Sequence, residues 1–111
     1  MTLPDDQVGE LKKFYPAAVC AREAGITYVL LPDATLPSGC KPTSVDLLLC
    51  PAAREGYPSR LYFAMQVSSS KQLNWNGTTR VLERNWFAFS WMIPADIRLA
   101  QMVQAHLQAF R

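Results

Sequence analysis

The sequence predicts an α+β fold: an antiparallel strand meander flanked by an N-terminal and a C-terminal helix. Three observations predict it. Apolar residues recur at helical spacing near both ends of the chain. Short runs rich in β-branched and aromatic residues, separated by turn residues, fill the middle. These strands are grouped together rather than alternating with helices, which separates α+β from α/β. The chain has 111 residues, of which 50% are apolar and 18% charged. That is a globular composition, and the length suits a single domain over 1–111. Folding without staples becomes doubtful only below about 40 residues.

Pro4-Asp5-Asp6 opens the first helix, since proline suits the first turn and acids suit the dipole. Val8, Leu11 and Tyr15 give it one apolar face, and Pro16 interrupts it. Residues 17–24 fit either a helical piece or a strand entering a turn at Ala24-Gly25, with a lean to the strand. Ile26-Thr27-Tyr28-Val29-Leu30-Leu31 is a strong strand. Residues 32–42 are turn-rich. Val45-Asp46-Leu47-Leu48-Leu49-Cys50 is the next strand, and its continuous apolar character predicts burial on both faces. A loop over 51–59 leads to a third strand at residues 61–67. Residues 74–92 hold Trp75, Trp86, Phe87, Phe89 and Trp91. Helix and strand both stay open over 80–92, because Trp86 and Phe89 are three apart while Phe87, Phe89 and Trp91 alternate. Pro94-Ala95-Asp96 opens the last helix, with Ile97, Ala100, Val103, Leu107 and Phe110 as its buried stripe.

The composition excludes several chemistries. The net charge of +2 is too weak for a nucleic-acid surface. No apolar run approaches the roughly 18 residues of a membrane helix. The N-terminus has no signal-peptide pattern, so a cytoplasmic location is expected. The one histidine, His106, reads as a surface or boundary residue on the last helix, which leaves no metal set and no Ser-His-Asp triad. The five glycines are scattered, so no phosphate loop or cofactor site is expected. Asp33 and Asp46 are better explained as turn and strand-edge residues than as paired carboxylates. Most of the aromatics read as core, and Trp75, beside Asn74, Asn76 and Gly77, is the best candidate for an exposed ring. The three cysteines, Cys20, Cys40 and Cys50, do not make a disulfide framework. As nucleophiles only Cys50, at a strand end before Pro51, and Cys40, beside Lys41, are candidates.

Several short segments together resemble the ubiquitin-conjugating E2 fold and its RWD-like relatives. A strand, the loop Gly56-Tyr57-Pro58 and the aromatic strand Leu61-Tyr62-Phe63 resemble the E2 core. Trp91-Met92-Ile93-Pro94-Ala95 before an amphipathic helix is similar to the Trp-x-Pro-Ala lead-in of the E2 helix. More closely, the chain resembles the bacterial E2-like family E proteins, through Leu36-Pro37-Ser38-Gly39, Val45-Asp46-Leu47-Leu48-Leu49, Gly56-Tyr57-Pro58 and Trp86-Phe87-Ala88-Phe89-Ser90-Trp91. The likeness covers roughly residues 26–110 and rests on short motifs.

That resemblance implies partners: a ubiquitin-like protein and an E1-like adenylating enzyme, with a JAB-type peptidase encoded nearby. It also implies a reactive cysteine after a His-Pro-Asn triplet, shortly before the Trp-x-Pro. Here residues 74–90 contain neither triplet nor thiol. Trp91 and Pro94 are one residue further apart than the pattern, and Met92 or Ile93 stands where family E proteins often carry a histidine. The expectation is therefore a non-catalytic, E2-variant-like binding or scaffold subunit, with contacts through Tyr57, Pro58, Trp75 and Trp91. The alternatives are an active conjugating enzyme with a displaced cysteine, Cys50 or Cys40, and a general interaction module unrelated to conjugation. So many aromatics in a small domain also leave homo-oligomerisation open.

Overall fold

Pro4 stands in extended backbone just ahead of α1 (Asp5–Phe14) in the computed structural model, which describes residues 3–111. Asp5 and Asp6 occupy the first turn and Lys12 and Lys13 the last, each sign complementing the helix dipole. Leu11 is fully buried, and Val8 and Tyr15 pack beside it, so the apolar face is the one the spacing predicts.

Strands β1 (Val19–Glu23) and β2 (Ile26–Thr35) form a hairpin around Ala24-Gly25. Both turn residues are left-handed, at φ 52 and 80, which matches the twist of the flanking strands. Residues 17–24 thus hold a strand, the reading towards which the sequence leans. β2 pairs with β3 (Ser44–Cys50) through a bulge between Leu31 and Ala34. Asp33 sits in that bulge at φ 49, and its amide donates to Asp46 Oδ1 at 2.7 Å. Asp33 accepts from Ser44 Oγ at 2.7 Å in turn, so the two carboxylates brace a bulge.

β3 is buried on both faces, as its composition predicts. Leu47 and Leu49 enter the helix-side core with Val29, Leu31, Phe63, Val103 and Leu107. Leu48 and Cys50 enter a second cluster with Tyr28, Tyr62 and Trp86. β4 (Arg60–Phe63) is shorter than the predicted 61–67 and begins one residue earlier. The chain leaves it because Ser68 is drawn into a reciprocal bridge with Lys41, at 2.8 Å in both directions.

Within the 74–92 region two strands form, and no helix does. β5 (Gly77–Val81) and β6 (Arg84–Ala88) flank a turn at Leu82-Glu83, both left-handed, at φ 55 and 61. β6 joins β4 at Phe63↔Phe87, giving one antiparallel sheet in the order β1-β2-β3-β4-β6-β5. The hairpin curls over the face away from the helices. Trp86, fully buried, lies in the cluster with Tyr28, Leu48 and Tyr62, and its Nε1 donates to Val81 O at 3.0 Å. The curl is tied at its rim. The Leu82 amide donates to Glu23 Oε1 at 3.0 Å, and Arg84 pairs with Asp46 at 3.0 Å.

The last helix, α2 (Leu99–Leu107), starts later than the expected opening at Pro94. Asp96 is left-handed, at φ 61, which stops a helix from running through it. The start is fixed at Arg98, whose amide donates to Gln101 Oε1 at 2.9 Å, and the Leu99 amide donates to Gln7 Oε1 at 3.1 Å. Leu99, Val103 and Leu107 face the core, and Phe110 follows in a short 3-10 turn (Gln108–Phe110). Arg98 clamps the two helices through Asp6 at 2.9 Å and Glu10 at 3.1 Å. Among the described residues no helix is long and apolar enough to cross a membrane.

Candidate functional site

The site grows from Arg60, a cation that the pattern of β4 forces inwards. Arg60 and Tyr62 share a strand face, and that face looks into the curl. Arg60 is 3% exposed. A buried guanidinium needs hydrogen-bond partners, and both terminal nitrogens of this one have them. It donates to Glu55 Oε2 at 2.8 Å, Asn76 Oδ1 at 3.2 Å and the Phe89 carbonyl at 3.4 Å. It also stacks on Tyr57, 4.4 Å from the ring centre.

The loop before β4 is shaped around that group. Arg54 and Tyr57 exchange backbone hydrogen bonds at 2.9 Å around a turn at Glu55-Gly56. This turn aims Glu55 back, so that its Oε1 also accepts from Tyr62 OH at 2.8 Å. Burial first, and the Glu55 carboxylate next, push the Tyr62 pKa well up, which keeps its hydroxyl a donor. Arg54 reaches across the mouth of the curl, donating to the Tyr28 hydroxyl and to Thr79 Oγ1 at 3.1 Å.

Tyr57 continues outward. Its hydroxyl donates to Ser90 Oγ at 3.2 Å, and Asn76 Nδ2 donates to the same oxygen at 2.6 Å. Ser90 therefore ties the 51–59 loop to the segment leading into α2. Between them lies a cleft of about 390 Å³, lined by Pro51, Pro58 and Ser59 on one side and by Pro94, Ile97 and Met102 on the other.

The sequence-derived residues fall around this frame unevenly. Tyr57 and Pro58 lie in it, Tyr57 on the polar network and Pro58 on the cleft. Trp91 is 36% exposed beside Ser90, its Nε1 donating to Ala105 O of α2 at 2.9 Å. Trp75 is not the exposed ring that its Asn and Gly neighbours suggest. It is partly buried and meets Phe63 and Phe89 edge-on, at 5.4 and 5.0 Å between centroids.

The thiols sit apart from one another. Cys50 is 1% exposed at the end of β3, with Sγ 3.7 Å from the Ala52 carbonyl. Cys40 is buried in the helix-side core. Burial raises both pKa values, which favours the unreactive thiol. Cys20, on β1, is exposed.

His106 is not at the surface: it is 3% exposed, with Nε2 3.2 Å from Ser59 Oγ. Burial, then the charge of Arg60, lower its pKa to about 4. A serine hydroxyl beside so weak a base, itself 1% exposed, is not an activated nucleophile. Among the described residues no group of three His, Cys, Asp or Glu stands together to hold a metal.

Sequence reasoning missed Arg54, Glu55, Arg60, Tyr62, Asn76 and Ser90. One signal was available. Starting the strand at Arg60 rather than Leu61 puts Arg60 and Tyr62 in phase on a central strand, where a charge needs a built partner. Nothing local to Asn76 or Ser90 marks them. No protein-family description, no curated protein and no solved structure matches this chain.

Proposed function

We propose that the chain is an E2-like component of a bacterial ubiquitin-like protein conjugation system, acting as a non-catalytic binding or scaffold subunit. One observation carries the reading most. The Tyr57-Pro58 loop joins β3 to β4 and is fastened by the Tyr57 hydroxyl to Ser90, directly before Trp91 and the C-terminal helix. An N-terminal helix, the antiparallel run β1 to β4 and a C-terminal helix also fit the resemblance, with the β5–β6 hairpin standing between β4 and that helix. Where an E2 would carry its nucleophile, residues 74–90 build a hairpin and an aromatic cluster without a thiol. Burial of Cys40 and Cys50 further favours binding over thioester chemistry.

The contact surface in this reading is the cleft mouth with Tyr57, Pro58 and Trp91. A partner is a ubiquitin-like protein or an E1-like enzyme. The test is titration of the purified chain with both products of the neighbouring genes, by calorimetry, with Trp91→Ala and Pro58→Ala as variants. Binding by at least one product, weakened by about tenfold in Trp91→Ala, is the expected result, since a partly exposed Trp is a typical interface anchor. No association with either protein sinks the proposal. A reductant-sensitive adduct formed with E1, ATP and the ubiquitin-like protein would instead restore the displaced-cysteine enzyme.

A further inference from the structure

The turn before β4 places a long acidic side chain where its backbone suits another residue. Left-handed backbone at the first position of such a turn favours Asn, Asp or Gly. Glu55 occupies it at φ 56. Its carboxylate then folds back onto fixed donors. Oε2 accepts from Arg60 Nη1 at 2.8 Å, Oε1 accepts from Tyr62 OH at 2.8 Å, and Arg54 Nε lies 3.5 Å from Oε1.

The donors are held without Glu55. Arg60 is locked by Tyr57, Asn76 and the Phe89 carbonyl, and its side chain is 4% exposed. Tyr62 is fully buried in a central strand. Arg54 is steadied by Tyr28 and Thr79. The Glu55 side chain, by contrast, is 42% exposed. The donors are anchored and their occupant is the solvent-facing member.

We propose that Arg54, Arg60 and Tyr62 form a receptor for a carboxylate presented by a protein partner, which Glu55 fills until it is exchanged. Exchange leaves no buried charge unpaired, because the incoming carboxylate takes over the same bonds while Glu55 is released to water. The two guanidiniums offer donors only, and the Tyr62 hydroxyl donates to the same carboxylate, so the ligand that fits is an acceptor-only anion. The receptor lies beside Tyr57, whose ring stacks on Arg60, and does not depend on the conjugation reading. A chain-terminal carboxylate and an Asp or Glu side chain carry the same chemistry.

The experiment titrates wild type, Glu55→Gly and Glu55→Gly with Tyr62→Phe. The ligands are an acetylated tetra-alanine with a free C-terminus, its amide, and the amide with one internal glutamate. The readout is the NMR signal of Arg60 Nε–H at constant ionic strength. Glycine suits the left-handed turn, so the variant removes the occupant without distorting the backbone. The expected result is that Glu55→Gly binds the free-acid peptide about tenfold more tightly than wild type, because no internal carboxylate competes. The neutral amide leaves Arg60 unmoved, and Tyr62→Phe weakens the carboxylate several-fold. Whether the free acid or the glutamate peptide binds better identifies the source of the carboxylate. The proposal is overturned if Glu55→Gly is folded and Arg60 responds to no carboxylate. It is equally overturned if Glu55→Gly is unfolded and acetate does not restore it, since Glu55 is then a structural counter-ion alone.

Discussion

Gly77 shows how tightly the buried cation is fitted. A Cβ there would lie 3.1 Å from Arg60 Nη2 and 3.3 Å from Cζ and Nη1. The end of an arginine normally yields, but this one is fixed by Asn76, the Phe89 carbonyl and the Tyr57 ring. Gly77→Ala therefore overpacks, and the expected loss is about 1–3 kcal/mol in a urea unfolding curve. An unchanged midpoint would mean that the guanidinium has room to shift. Thiol reactivity is decided at the same scale. Cys20 is exposed, whereas Cys40 and Cys50 are buried with raised pKa values. Native labelling with a maleimide near neutral pH is expected to modify Cys20 well before the other two, with mass spectrometry giving the order. Rapid modification of Cys50 in the folded protein would revive it as a nucleophile.

The β5–β6 hairpin is the element on which the second core depends. It meets the rest of the sheet at one register pair, Phe63↔Phe87, so ladder hydrogen bonds alone do not hold it in place. Trp86 does most of that, buried against Tyr28, Leu48 and Tyr62. Trp86→Ala is expected to cost about 3–5 kcal/mol, read from chemical denaturation, because the void cannot be filled by a strand tied at Glu23 and Asp46. The turn carries an opposite lesson. Glu83 is exposed and left-handed, and Glu83→Gly is expected to stabilise by about 1 kcal/mol, with Glu83→Val lowering stability. These features also mark the limit of what the chain shows before folding. α1, β2 and β3 are legible because proline, charge placement and apolar runs are local signals. The 80–92 stretch is ambiguous because its rings fill both faces, Trp86 in one core and Phe89, just past β6, in the other, so no polar face marks the strand's period of two. Pro94 misplaces the start of α2 because the cap that fixes it involves Gln7, distant in sequence. The polar site is the least legible, since Arg60, Asn76 and Ser90 gain meaning only when the curl brings them together.

At the scale of the whole molecule, one buried base sets how stability responds to acid. His106 faces Ser59 from the 51–59 loop and feels Arg60 on β4, so helix, loop and sheet all meet at its ring. Its folded pKa is about 4, against an ordinary value of 6.5. The unfolded chain therefore takes up a proton that the folded protein refuses between those values. The neutral ring's contribution is present above pH 6.5 and is lost as pH falls towards 4, amounting to about 3 kcal/mol over the window. The carboxylates act lower down. The Asp33 amide and Arg84 pull Asp46 below its ordinary 3.8, and Arg98 does the same to Asp6, so their support is present above that value and lost beneath it. Because the chain has a single histidine, no other imidazole can produce a slope in the upper window. Urea unfolding at a series of pH values is expected to show stability falling steadily from pH 6.5 to 4 in the wild type. His106→Gln keeps a polar partner for Ser59 and lacks the titrating ring. It is expected to be less stable at neutral pH but to lose most of that slope. An unchanged slope in the variant would show that the acid sensitivity lies outside the place where helix, loop and sheet meet.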